Sequence, residues 1–391
     1  MTTIQYIKND CCGCGACKGA CPKKCIRMMP NQEGFLYPVV NMEACIHCGH
    51  CENVCPVLRA GEGRKKDFQE AWAAIQKDRK ILKESSSGGV FTSLALAILE
   101  EGGCVFGAAF REGFRQVVHV LVEKVEQLET LRGSKYMQSE VDNSYALAQE
   151  RLNNGQPVLF SGTPCQIAGL KSYLGREYEN LYLVDIICHG VPSALVWQFY
   201  LDQIVEKSGE KPVGINFRQK ANGWNQYGLE IRFTNGKHYF RNAIDDPYMK
   251  MFLRNENLRE SCYHCVTKET GIVSDLTIGD FWGVERMLPG IDSKMGVSLV
   301  LIHTEMGRGL FEQVEKKLDC HRVNYETTVI NNCVINRSVN RPALRDTFFE
   351  DLTMLPWRKV QAKYANDDIK TVIKRKLVNS VIGKIRRKLR Q

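Results

Sequence analysis

The chain of 391 residues carries 53 Lys or Arg against 44 Asp or Glu, for a formal net charge of +9, and 44% of it is apolar. That length holds a small module plus one or two further domains with a sizeable core. The most apolar stretch, residues 89 to 99, includes Thr92 and Ser93 and falls well short of the roughly 18 residues that cross a bilayer, so no transmembrane helix is expected.

Seventeen cysteines without a signal peptide point to a reducing, cytoplasmic setting in which thiolates serve as metal ligands. Between Cys11 and Pro56 the pattern Cys-x2-Cys-x2-Cys-x3-Cys-Pro occurs twice, as Cys11, Cys14, Cys17, Cys21-Pro22 and as Cys45, Cys48, Cys51, Cys55-Pro56. Three close thiolates wrap one [4Fe–4S] cubane, and the fourth, too far along the chain to close it, ligates the partner cluster. Cys11, Cys14, Cys17 and Cys55 are therefore assigned to one cluster, and Cys45, Cys48, Cys51 and Cys21 to the other. Zinc sites pair Cys-x2-Cys with a distant second pair and need no triple run, and disulfides need no such spacing. Residues 1–58 thus read as a ferredoxin-like module that passes single electrons.

The polar residues 59–67 read as a linker. From Phe68 the chain reads as α/β, with a mixed, partly parallel sheet, and α+β overall. Strands are predicted at Cys104 to Phe110, Val158 to Ser161 and Leu181 to Cys188. Helices are predicted at Gly89 to Glu101, Tyr145 to Asn153, Pro164 to Leu174 and Ala194 to Glu206. A part spanning 68–211 is followed by one spanning 212–355, strand-rich from Val213 to Tyr239, with further strands at Leu276 to Phe281 and Val297 to His303. The later region is either a subdomain or an extension of the same sheet.

Ser85-Ser86-Ser87-Gly88-Gly89 opens the first helix, where serines and glycines leave backbone N–H groups free to cradle a pyrophosphate; a plain N-cap explains the run about as well. No Gly-x-Gly-x-x-Gly follows a strand, which disfavours a Rossmann dinucleotide domain. The Arg132-Gly133-Ser134-Lys135-Tyr136 loop offers two cations and a phenol, and Trp224 and Trp282 are loop aromatics able to stack on a planar ring.

Thr163 and Pro164 suit an N-cap and a first helical position, so Cys165 sits at a helix N-terminus, where the dipole favours a thiolate. Cys188 ends the next strand before His189-Gly190-Val191-Pro192, and open α/β sheets bind ligands at such carboxyl ends. With Cys262-x2-Cys265 these make four ligands for a third [4Fe–4S] cluster, with tetrahedral zinc as the main rival because His189 and His264 are neighbours, and a redox-active Cys165 alone as the other. Cys12, Cys25, Cys104, Cys320 and Cys333 read as small buried hydrophobes or bystanders.

Residues 369–391 hold nine Lys or Arg and no acid, and the rest of the chain balances at 44 of each sign. Within the 356–391 tail, Val381, Ile382, Ile385 and Leu389 share a helical face opposite the basic residues. That suits an anionic membrane surface or an acidic partner, and a plain solvated tail equally well. No aromatics are interleaved with these charges, so nucleic acid is not expected.

Taken in order, Ser86-Ser87-Gly88-Gly89, Gly133-Ser134-Lys135-Tyr136, Gly162-Thr163-Pro164-Cys165-Gln166, Cys188-His189-Gly190, Cys262-x2-Cys265 and Ser274-Asp275-Leu276-Thr277-Ile278-Gly279-Asp280 resemble the coenzyme F420 hydrogenase/dehydrogenase beta-subunit family. The likeness covers about residues 68 to 350, and a ferredoxin-like module in front is a common addition. The resemblance implies FAD as the hinge between one-electron clusters and a two-electron organic partner. It places the flavin pyrophosphate on Ser87, Gly88 and Gly89, with Lys135 and Tyr136 nearby. In the family that partner is a deazaflavin coenzyme in some archaea and a chlorophyll derivative in photosynthetic organisms; other bacterial members accompany surface-polysaccharide genes.

The expectation is an iron–sulfur flavoprotein oxidoreductase fed by a ferredoxin or a partner subunit, with coenzyme F420 or a surface-polysaccharide intermediate as its substrate. His189 is the candidate general acid, a structural histidine being the plainer reading. The alternatives are a non-catalytic electron-transfer subunit and a zinc-bearing regulatory protein.

Overall fold

The computed structural model describes residues 4–60 and 70–366; the basic run 369–391 and most of the 59–67 linker lie outside the described residues. Strands β1 (Ile26–Pro30) and β2 (Leu36–Val40) form a hairpin in the cysteine-rich module. The body contributes β3 (Glu70–Gln76), β4 (Cys104–Phe110), β5 (Val117–Val122), β6 (Ser139–Glu140), β7 (Val158–Gly162), β8 (Leu181–Ile186), β9 (Pro212–Gln219), β10 (Gly228–Phe233), β11 (His238–Asn242), β12 (Leu276–Asp280), β13 (Ser298–Ile302) and β14 (Leu318–Val323).

Nine of these make one mixed sheet in the order β14-β3-β13-β12-β8-β7-β4-β5-β6, and β11-β10-β9 form a separate antiparallel sheet. The strand-rich stretch from Val213 is thus its own layer, while β12 to β14 return to the main sheet. The centre of that sheet is parallel, β12 on β8, β8 on β7 and β7 on β4. Its strands read as unbroken apolar runs because both faces are covered; Val158, Leu159 and Phe160 are all fully buried.

Parallel pairing fixes the location of the site. Gly162 at the end of β7 lies opposite Asp185 near the end of β8, so the chain leaves both strands on the same edge, toward Cys165 and Cys188. Helix Pro164–Leu174 starts there with Pro at its first position. Gln166 Oε1 accepts from the Thr163 N–H and hydroxyl at 3.0 Å each, and the helix ends at Gly175 in the left-handed region (φ 66°).

The hairpin does not hang from the body. Phe35 is buried in the same core as Val196, Trp197, Phe217, Tyr248 and Phe348. Ser193 caps helix Ala194–Ser208 through the Leu195 and Val196 N–H groups and donates its hydroxyl to Glu33 O at 2.5 Å. A Cβ on Gly34 (φ 82°) would come within 2.4 Å of Leu195 Cβ, so only glycine lets the turn seat here.

Candidate functional site

In the cysteine-rich module the short helices Ala16–Ala20 and His50–Asn53 each begin after a left-handed glycine, Gly15 and Gly49, and pack against one another. Cys17 lies in the electrostatic reach of Cys11, Cys55 and Cys51, and Cys14 in that of Cys17 and Cys55; Cys11, Cys14, Cys17 and Cys55 are all buried. The second set, Cys21, Cys45, Cys48 and Cys51, lines one recess whose rim includes Lys23, Ile46, His47 and His50. Cys48 is exposed, so this set faces the surface while the first lies deeper.

Cys165, Cys188, Cys262 and Cys265 also line one recess, together with Cys12, His189 and Lys268. The Val191 N–H donates to Cys262 Sγ at 3.4 Å, a bond that favours a thiolate. Burial pushes the Cys262 thiol up to about 12, and contact with Cys12 together with burial pushes Cys165 well above its ordinary value. Such thiols stay neutral until a cation drives off their protons. Among the described residues no three His, Cys, Asp or Glu side chains close on the point a single ion would occupy. Four thiols in each set make an all-sulfur donor set that fits an iron–sulfur cluster.

Ser87, Gly88 and Gly89 lead into helix Val90–Glu100, whose N-cap Gly89 supplies no side-chain cap. Gly88 is required by packing, since a Cβ would sit 2.2 Å from Ala74 O and 2.4 Å from Ser298 N. The Ser134 N–H donates to Ser86 Oγ at 2.8 Å, tying the two sequence-predicted loops together. Lys135 is half-buried and its Nζ donates to the Arg132 and Gly133 carbonyls, with no carboxylate partner among the described residues; desolvation pulls it down to about 7. Lys220 is buried, donates to the carbonyls of Leu82, Ser87 and Met295, and is pulled down to about 8. One buried and one half-buried amine, each with only carbonyl hydrogen-bond partners among the described residues, beside an uncapped helix start suit a phosphate-bearing cofactor such as FAD.

Tyr136 stacks on Phe252 (centroids 4.7 Å apart), and Phe252 meets His189 edge-on at 5.1 Å. This aromatic contact joins the Lys135 loop to the third thiol recess. His189 belongs to that recess, and its Nε2 bonds Asn255 Oδ1 at 2.6 Å. Trp224 and Trp282 stack on each other at 4.6 Å with planes 5° apart, and Arg218 lies 5.1 Å from the Trp282 ring. Arg132 is paired with Glu84 at 2.6 Å.

Residues 71–145 match the family described as "Coenzyme F420 hydrogenase/dehydrogenase, beta subunit N-term", and residues 155–327 match its C-terminus description. The chain belongs to this beta-subunit family. In front of the family core, residues 10–58 match a 4Fe-4S dicluster domain, so this beta-subunit relative is an iron–sulfur redox protein. It is 23% identical over 329 residues to an F(420)H(2) dehydrogenase subunit of Methanosarcina mazei, covering 81% of this chain and 85% of that one. It is 25% identical over 316 residues to the coenzyme F420-dependent sulfite reductase of Methanocaldococcus jannaschii, covering 78% of this chain and 46% of the reductase. Against a chain of the xenon-derivatized F420-reducing [NiFe] hydrogenase complex from Methanosarcina barkeri it superposes with a TM-score of 0.44 at 19% identity, over 79% of this chain and 92% of that one.

Sequence reasoning about this family member missed four residues. Cys12 and Cys25 read as small buried hydrophobes or bystanders, and both are buried, but Cys12 also faces Cys14 and Cys165, and Cys25 Sγ lies 3.3 Å from Cys21 Sγ in the surface recess. Nothing in a Cys-Cys doublet says which way its second thiol points. Lys220 and Arg259 are buried cations, which from sequence look like any exposed Lys or Arg.

Proposed function

We propose that this protein is an iron–sulfur flavoprotein oxidoreductase that relays single electrons between a protein partner and a two-electron organic carrier of the F420 type. The observation that carries the reading is the continuity of the three thiol sets. The exposed Cys48 belongs to the set beside Cys17, and Cys12 touches both Cys14 and Cys165. Phe252 then joins the third recess to Tyr136 at the Lys135 loop.

When bound, the clusters would supply one-electron chemistry and FAD the exchange between single electrons and a hydride. The protein's part is placement. Cys11, Cys14, Cys17 and Cys55, then Cys21, Cys45, Cys48 and Cys51, then Cys165, Cys188, Cys262 and Cys265 would each hold one cluster. Lys135, Lys220 and the N–H groups after Gly89 would hold the flavin's phosphates. The exposed rim at Ile46 and His47 is where a ferredoxin or a partner subunit would dock, in keeping with relatives named as subunits of F420 enzymes. The setting we propose is cytoplasmic.

Anaerobic purification with iron, acid-labile sulfide and flavin analysis tests the reading. Three clusters and one FAD per chain, with the flavin reoxidised by added F420, are expected. Zinc with little iron would overturn it, and clusters without flavin would favour the non-catalytic electron-transfer subunit. Cys165→Ser should remove one cluster's worth of iron; unchanged iron and spectra would reject the third site.

A further inference from the structure

Arg259 is fully buried, three residues before Cys262, and it reaches into the cysteine-rich module. Its Nε donates to Cys11 O at 2.6 Å, one terminal nitrogen to Leu36 O at 2.9 Å and the other to Gln138 Oε1 at 3.0 Å. The guanidinium lies over Tyr37 at 4.3 Å, and a Cβ on Gly13 would come within 2.8 Å of its Nη1. Among the described residues no carboxylate pairs with it; every hydrogen-bond acceptor it has is neutral. Arg345, the other buried arginine of this region, is instead held by both oxygens of Glu33 at 2.7 Å.

A buried charge without a counter-ion is costly, and native proteins pair such charges. Two anionic sites would adjoin Arg259: the set of Cys11, Cys14, Cys17 and Cys55, thiolates around iron and sulfide, whose Cys11 carbonyl it holds, and Cys262 of the third set, whose thiol its charge also reaches. We propose that Arg259 is the built-in counter-cation of the cluster held by Cys11, Cys14, Cys17 and Cys55, raising its reduction potential above that of the surface cluster at Cys48. Reduction adds one electron and one negative charge without a proton, so a fixed positive charge favours the reduced form. Burial alone would push the other way, disfavouring the more highly charged state. This inference rests on the cluster assignment of the proposed function.

The test is an EPR-monitored redox titration of the loaded full chain, with Cys48→Ser used to assign the surface cluster's signal. In the unaltered protein the Cys14 cluster should reduce at a higher potential than the Cys48 cluster. Arg259→Gln keeps an amide donor but drops the charge. It should shift the electron's partition between the two clusters about tenfold toward the Cys48 cluster, or about 59 mV for a one-electron couple. Arg259→Lys should restore most of that shift, which a merely structural role would not require. The Cys14 cluster titrating below the Cys48 cluster in the unaltered protein would overturn the inference, and that measurement needs no variant to fold. So would equal shifts of both clusters in Arg259→Gln, or no shift at all. Absence of the clusters from the unaltered protein would instead overturn the functional reading itself.

Discussion

At the scale of single residues, the buried charges separate into those already paired and those awaiting a partner. Arg345 is 2% exposed and bonds both Glu33 oxygens and Leu258 O, clamping the hairpin turn to helix Arg345–Met354. Arg345→Met should leave Glu33 without its main cation and destabilise the fold by about 3–5 kcal/mol, read from denaturant unfolding of the loaded protein. Asp185 is the opposite case. Burial raises it from 3.8 to about 7, and its Oδ1 has no hydrogen-bond partner. The folded state keeps that proton up to about pH 7, whereas the unfolded chain releases it near 3.8. Stability therefore falls as pH rises through that window, and the full loss persists above it. Asp185→Asn cannot ionise, so its melting temperature should gain on the unaltered protein between about pH 4 and pH 7; a gap that stays constant across that window would show that Asp185 is ionised throughout.

At the scale of elements, helix Pro164–Leu174 is the pivot between thiol sets. Cys165 stands in its first turn, and one turn on Gly169 lies against the module, where a Cβ would meet Cys14 Cβ at 2.9 Å and Cys14 Sγ at 3.0 Å. Alanine normally stabilises a helix interior by about 1 kcal/mol over glycine. Here overpacking against Cys14 and the Tyr145 hydroxyl should reverse the sign, at about 1–3 kcal/mol. Gly169→Ala should thus lower both the unfolding midpoint and the iron content. This helix was legible in the sequence to the residue because Thr163, Pro164 and Gly175 mark its ends. Cys104–Phe110 was equally plain as an unbroken apolar run. Strand β14 was not, since Leu318-Asp-Cys-His-Arg-Val323 sits on the sheet edge with half of its residues exposed and an apolar alternation too short to read. The gathering of Cys21, Cys45, Cys48 and Cys51 in one recess and of Cys165, Cys188, Cys262 and Cys265 in another was legible from spacing and strand ends. Cys12, Lys220 and Arg259 were not, because their roles come from tertiary contacts that no local pattern encodes.

At the scale of the whole molecule, the cysteine-rich module is built into the body. Phe35 is 1% exposed and packs edge-on to Phe349 at 6.1 Å, inside the core that also holds Trp197 and Tyr248. Arg259 and Gln138 bond the carbonyls of Cys11, Leu36 and Cys12, and Ser193 bonds that of Glu33. The proposed relay would need fixed spacing between its stations, and these contacts hold the module to the body. Removing residues 1–58 would uncover the Phe35 pocket and leave Arg345 without Glu33, so the remaining chain should bind a hydrophobic dye and self-associate on gel filtration. Adding the separate module back should not rescue it, because docking would have to recover a core contact and not a surface one. A truncated body that stays monomeric and keeps the iron of the Cys165 site would instead mean that the two parts fold independently.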